Sequence, residues 1–307
     1  MSALSHKIDF AIIFSVKHAN PNGDPLNGNR PRTDYDGFGE ITDVCLKRKL
    51  RDRLQEQGKN IFVQSDEKKT DGMPSLKSRA ESAEHGLGKA AFVFDGKDNT
   101  PDDARKKACE KWFDVRAFGQ VFAWKSDKKK AAKSKKGQSD AEDTTADSEE
   151  SSSGEGISIA IRGPVTIQSA FSIDPVNITS TQITKSVSGE GDGTKKASDT
   201  MGMKHRVDSA VYVAYGAMTP QLAEKTGFSD DDAETIKTAL PRLFEGDASS
   251  ARPEGSMAVK KLIWWPHNSK AGQYSSAKVH ALLDVNSDGS YTLGALDGLK
   301  VEEIDGF

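Results

Sequence analysis

Amide and guanidinium side chains crowd one short stretch of this chain. Asn20, Asn22, Asn27, Asn29, Arg30, Arg32 and Thr33 fall within a run, Asn20 to Asp34, that also holds three prolines and two glycines. Amides and hydroxyls both donate and accept hydrogen bonds, and a guanidinium presents a planar fork of donors. Such groups suit sugar oxygens, base edges and phosphates. Each proline fixes φ, while Gly23 and Gly28 open φ > 0, which Asn also tolerates. A surface turn cluster would explain a shorter run. A loop this long inside a compact domain is usually functional or disordered, and repeated X-Pro steps argue for a stiff, shaped loop.

The elements around the loop must position it. Ile8, Phe10, Ile12, Phe14 and Val16 alternate with other residues, which predicts a strand over 7–17 with one apolar face. Thr42 is an N-cap candidate for a helix from Asp43 to Glu56, with Leu46, Leu50 and Leu54 on one stripe facing a sheet. Lys47 and Arg51 form a second stripe with Arg48 beside them, able to hold an anion, although a solvated face of ordinary charges is the commoner meaning of such a run. Val165, Ile167, Ser169, Phe171 and Ile173 predict a strand over 164–173, and Val207, Ser209, Val211, Val213 and Tyr215 one over 207–217. Ser229 followed by three aspartates predicts a helix start, with Ile236, Leu240, Leu243 and Phe244 on the apolar face of a helix over 229–244. Lys260–Trp265 and Lys278–Val285 read as strands. Lesser expectations are a short strand at Ala91–Phe94 and a helix from Pro101 to about Phe113.

Taken as strand 7–17, helix 43–56, strands 164–173 and 207–217, helix 229–244 and strand 278–285, the order is βαββαβ. That predicts an α+β chain with a ferredoxin-like, RRM-like palm, one domain over 1–307. The large insertions fall between these elements, at about 60–90, 125–156 and 174–206. The aromatic signature by which ordinary RRMs stack bases is not recognisable, so stacking on the sheet face is not expected. The 174–206 insertion reads as an arm leaving the sheet, with a tip at Gly189, Gly191 and Gly193. Lys185, Lys195, Lys196, Lys204 and Arg206 give it basic character. Ile178, Ile183, Val187, Met201 and Met203 are apolar without an obvious core.

The run Asn22-Gly-Asp-Pro-Leu-Asn-Gly-Asn-Arg-Pro-Arg-Thr-Asp34, followed by Gly39-Glu-Ile-Thr-Asp-Val-Cys-Leu-Lys-Arg-Lys-Leu-Arg-Asp52, closely resembles the crRNA-binding backbone subunits of type I CRISPR interference complexes. These Cascade proteins belong to the RAMP superfamily, and the likeness is strongest to type I-C. It continues at Asp114-Val-Arg-Ala-Phe-Gly119, at Gly163-Pro-Val-Thr-Ile-Gln-Ser-Ala-Phe-Ser-Ile173 and at Met203-Lys-His-Arg-Val207. The resemblance implies a palm with finger or web (60–90) and thumb (174–206) projections. It also implies copies stacked as a filament along one guide crRNA beside other Cascade subunits, with target DNA read by pairing to the guide. The guide-contact candidates are then Asn20, Asn22, Asn27, Asn29, Arg30, Arg32, Thr33, Lys47, Arg48, Arg51, Arg116, Gln168, Ser169, Lys204, His205 and Arg206. Arg116 reads equally well as the partner of Asp114 or another carboxylate.

Composition bounds these readings. Hydrophobic residues make up 35% of the chain, low for a compact globule, so part of it should be extended or unstructured. The net charge is −3, mildly against a nucleic-acid binder, so local patches must decide. Cys45 and Cys109 are too few for a disulfide scaffold and lack metal spacing. No apolar leader or span is evident, which predicts a cytoplasmic protein without a membrane partner. Seven lysines fall within 125–136 and seven acids within 140–155, a composition expected to stay disordered. Asp284-Val-Asn-Ser-Asp-Gly289 imitates a calcium loop, but position twelve is Ala295, so Asn286-Ser-Asp-Gly is better read as a hairpin turn. No cofactor, metal or catalytic residue is expected. The rival from another class is a metal-dependent RNA endonuclease using a loop aspartate, with Asp24, Asp34 and Asp36 at hand. No His or Glu constellation joins them, and Asp-Gly and Asp-Pro are ordinary turn steps.

Overall fold

The computed structural model describes residues 2–94, 99–124, 157–186 and 201–307. In chain order its first half contains β1 (Ile8–Ala19), the paired β2 (Gly23–Asp24) and β3 (Arg30–Pro31), β4 (Phe38–Ile41), α1 (Asp43–Glu56), α2 (Leu76–Glu81), α3 (Pro101–Lys111), α4 (Phe113–Phe118) and β5 (Gly119–Trp124). The second half contains β6 (Ile157–Arg162), β7 (Val165–Ile167), β8 (Ala170–Pro175), β9 (Ile178–Thr184), β10 (Met201–Met218), α5 (Pro220–Thr226), α6 (Asp230–Ala239), β11 (Met257–Pro266), α7 (Ser276–His280), β12 (Leu283–Val285), β13 (Tyr291–Leu293) and β14 (Glu302–Asp305). The chain is thus a mixed α+β protein. The charged insertion over 125–156 and the arm-tip residues Val187, Gly189, Gly191, Gly193, Lys195 and Lys196 lie outside the described residues.

The main sheet runs β14-β11-β1-β10-β8-β4, and its neighbours pair antiparallel. β1 lies at its centre. Phe10, Ile12, Phe14 and Val16 point to one face, against Leu46, Leu50 and Leu54 of α1 and Ile236 and Ala239 of α6. Phe14 stacks on Tyr212 with ring centroids 5.6 Å apart and packs on Phe244 at 5.0 Å. Both principal helices start where their caps require. Thr42 accepts from Cys45 N, and Ser229 forms a reciprocal capping box with Asp232.

The other face of β1 is also covered, contrary to the expected single apolar face. Ala11, Ile13, Val211, Val213, Ile263 and Trp265 are packed beneath Val279 of α7 and Leu283 and Val285 of β12. Hence the centre of the sheet is covered on both sides, and among the described residues no broad aromatic face is left there for bases. The fully buried Asp9 belongs to this layer. It meets Lys7 at 2.9 Å and His267 at 2.8 Å, with His280 Nε2 at 3.7 Å.

Several local expectations are corrected. The strand expected at 278–285 is the one-turn helix α7 followed by β12, which pairs only with β13. β1 lies between β10 and β11, the latter over 257–266. Residues 164–173 form two strands, broken at Gln168 and Ser169. The helix expected over 229–244 ends at Ala239 and tightens into a 3₁₀ turn at Leu240–Arg242. Ala91–Phe94 is not a strand, since a 3₁₀ turn spans Lys89–Phe92. The segment from Phe62 onward joins a second cluster, in which Phe62, Phe92, Trp112 and Phe122 bury one another. α3 and the β5–β6 hairpin belong to that cluster too.

Candidate nucleic-acid interface

The loop between β1 and α1 is braced from within. Asn20 is buried and donates from Nδ2 to the Asn29 carbonyl at 2.6 Å. Asn22 accepts from both Thr42 N and Thr42 Oγ1 at 3.0 Å, tying the loop to the first turn of α1. Asp24 accepts from Leu26 N at 3.2 Å and pairs with Arg32 at 3.5 Å. Gly28 and Asn29 turn the chain back with φ of 59° and 58°. These bonds leave Pro25 to Asn29 as an exposed tip. Asp34 accepts from Asp36 N and Phe38 N at 3.0 and 2.9 Å, which holds the next turn. The loop carboxylates Asp24 and Asp34 are therefore engaged in turn geometry, and no cluster of three metal-ligating side chains occurs among the described residues.

The arm rises beside this loop. β10 pairs with β1 up to Val207 opposite Ala19, and from Val207 to Met201 it pairs with β9. Lys204, His205 and Arg206 lie at the foot of that ladder, opposite Thr181, Ser180 and Thr179. Arg30 Nη1 donates to Ser180 Oγ at 3.1 Å, and Ser180 Oγ lies 2.8 Å from His205 Nδ1. Arg206 approaches Asp208 at 3.8 Å. Further out, Ile183, Met201 and Met203 are exposed. The loop, the first turn of α1 and the foot of the arm thus meet at one border of the sheet.

Other predicted residues are held differently. Lys47 pairs with Asp43 at 2.9 Å and Arg48 with Asp52 at 2.8 Å. Burial pulls the Arg48 guanidinium below its usual pKa, against the pull of Asp52. Arg51 Nε donates at 3.0 Å to Asp114, a buried carboxylate that also accepts from Phe62 N and Val63 N. Arg116 grips Asp232 through two bonds of 2.8 Å and lies over the Phe113 ring at 4.9 Å. Both guanidiniums are committed within the protein, and for Arg116 this is the carboxylate reading, with Asp232 as the partner. Gln168 is exposed and Ser169 half-buried at the break between β7 and β8, where Gln168 N donates to Tyr215 O.

One residue of the same stretch lies outside the guide-contact candidates. His18, exposed at the end of β1, has φ 52°, and the β1–β10 register passes from Lys17 to Ala19 without it. A non-glycine residue in that region is uncommon and clusters at functional sites. Only its place beside the polar loop signalled it in sequence. A cleft of about 460 Å³ lies at the opposite end of β1, lined by Ile8, Lys237, Trp264 and His267 among others. None of the predicted residues lines it. No helix among the described residues is long and apolar enough to cross a membrane.

Comparison with known proteins defines the class. The profile of the family described as CRISPR-associated protein Cas7 matches residues 6–301, so the chain belongs to the Cas7 family, the RAMP-type backbone subunits whose motifs the sequence resembled. A CRISPR-associated protein Cas7 of Haloferax volcanii is 27% identical over 305 residues, covering 97% of this chain and 80% of that protein. Among solved structures, a chain of a CRISPR RNA-guided surveillance complex in a pre-nicking state aligns at TM-score 0.44 and 16% identity, covering 84% of this chain and 75% of the other. A chain of a second CRISPR RNA-guided surveillance complex aligns at TM-score 0.42 and 13% identity, covering 92% and 77%.

Proposed function

We propose that this chain is a non-catalytic, guide-binding backbone subunit of a type I-C interference complex. Several copies stack along one crRNA in the cytoplasm, beside other Cascade subunits, and present the guide for pairing with target DNA. The observation that carries this reading is the meeting of the braced amide loop with the basic foot of the arm, in a chain of the Cas7 family. Asn27, Asn29, Arg32, Thr33, Lys204, His205 and Arg206 are the proposed contacts, with Lys47 and His18 flanking them. Amides and hydroxyls serve sugar and phosphate oxygens, and the cations neutralise charge. Asn20 and Asn22 shape the loop that offers them.

Four strands of the main sheet, numbered in chain order as β1, β7–β8, β10 and β11, lie side by side in the order fourth, first, third, second. That order supports a ferredoxin-like palm, one domain in which 60–90 is the finger, 125–156 a charged insertion and 174–206 the thumb. The test is purification of the chain with its co-expressed guide, followed by nuclease digestion. Stoichiometric RNA protected in regular lengths is expected. Absence of bound RNA would end the proposal, and so would magnesium-dependent cutting of complementary RNA that vanishes on Asp24→Asn or Asp34→Asn.

A further inference from the structure

Arg30 came into the argument as one more cation for phosphate, yet its guanidinium already has a partner 150 residues away. That partner, Ser180, stands on β9 directly opposite His205 of β10. The serine hydroxyl accepts from Arg30 and lies within hydrogen-bond distance of Nδ1 of His205, so its one oxygen bridges the guanidinium and the imidazole. Three side chains, from the loop and from both strands of the arm, are thereby joined in one line.

No hydrophobic core fixes the direction of the arm's described residues. Residues 178–184 and 201–206 are exposed or half-buried, and none belongs to a hydrophobic cluster. Its ladder keeps the two strands together but does not set their angle to the loop. The foot is tied by β4 pairing with β8 and by Val176 N donating to Gly37 O at 2.9 Å. Ser180 lies two register steps outward from Ile178, where a cross-link has leverage over the angle.

We propose that Arg30 is a positioning residue: through Ser180 it orients His205 and holds the two-stranded arm against the first-crossover loop. The consequence for guide holding rests on the function proposed above, whereas the link itself does not. Spin labels at Leu26→Cys and Gln182→Cys, with Cys45 and Cys109 replaced by alanine, report the loop-to-arm distance in the full chain. A narrow distribution is expected. Ser180→Ala and Arg30→Gln should lose it, and Ser180→Thr, which keeps the hydroxyl on a strand that favours threonine, should restore it. An unchanged distribution in Ser180→Ala overturns the proposal, and so does a broad one in Ser180→Thr. Guide protection is read in the same variants. Loss in Ser180→Ala with rescue in Ser180→Thr supports the positioning role, and retention in Ser180→Ala despite a broadened arm overturns it. If the unsubstituted chain protects no guide, the failure belongs to the proposed function and leaves the distance result standing.

Discussion

Replacing Asp114 separates the structural use of the basic helix from its proposed contact with RNA. The carboxylate is 1% exposed and serves three donors: Phe62 N at 2.7 Å, Val63 N at 3.0 Å and Arg51 Nε at 3.0 Å. Removing one partner of a buried pair costs about 3–5 kcal/mol, because the other charge stays buried. Each backbone N–H left unsatisfied adds about 1–3 kcal/mol if water cannot reach it. Arg51 is 13% exposed and lies 5.1 Å from the Phe118 ring centroid, so solvent relieves it only in part. Asp114→Ala should therefore lose at least about 4 kcal/mol even with solvent relief, a large part of the roughly 5–15 kcal/mol by which domains are stable. Asp114→Asn keeps an acceptor and should lose less. Urea unfolding followed by tryptophan fluorescence measures both. Adding Arg51→Met to Asp114→Ala should cost much less than Arg51→Met does alone, because the pair is one unit. The reasoning is refuted if Arg51→Met alone leaves stability within about 0.5 kcal/mol, the range of an ordinary surface change. Arg51 would then be free for the guide.

Three further outcomes are expected. A Cβ at Gly39 would lie 2.2 Å from the Tyr212 hydroxyl oxygen, so Gly39→Ala should destabilise by the roughly 1–3 kcal/mol of an overpacked core and lower the melting midpoint. Burial holds His280 below the ordinary histidine value of 6.5, so its stabilising effect is complete above that value and is lost as pH falls through the lower folded value. Burial raises the Asp9 carboxyl, but hydrogen bonds from Ser276, Lys7 and His267 outweigh it, so a second loss should follow below pH 3.8; melting scans from neutral to acid pH should show both limbs, and His280→Gln should abolish the first. Guide affinity should fall with salt by about 0.7 in logarithmic slope per phosphate neutralised, and Lys204→Ala should reduce that slope by one such step, read by filter binding at several salt concentrations.

Signals confined to one element survived translation into structure. The alternation from Ile8 to Val16 and the caps at Thr42 and Ser229 act within a few residues, and the strand and both helix starts formed where predicted. The hairpin turn at Asn286–Gly289 did too, with Asn286 N bonded to Ser290 O. The strand expected at 278–285 failed because Val279, Leu283 and Val285 keep strand-like spacing while belonging to a one-turn helix and a short strand that share one cluster. The aromatic cluster around Trp112 has no period to read, since its buried members come from six separate segments between Phe62 and Ile159. In the loop, composition announced polar recognition but not how the amides divide between bracing and display. That division depends on where the chain turns back, at Gly28 and Asn29. The partners of Arg51 and Arg116 lie 63 and 116 residues away, beyond any local rule.

Closing both faces of the sheet has a cost in reach. On the function proposed above, what remains for the guide is the border formed by one loop and a two-stranded projection, a short grip. Total grip then has to grow by repetition rather than by area. On that same proposed function, a lone protomer should let go quickly, and tenacity should rise steeply with each neighbour that joins the row.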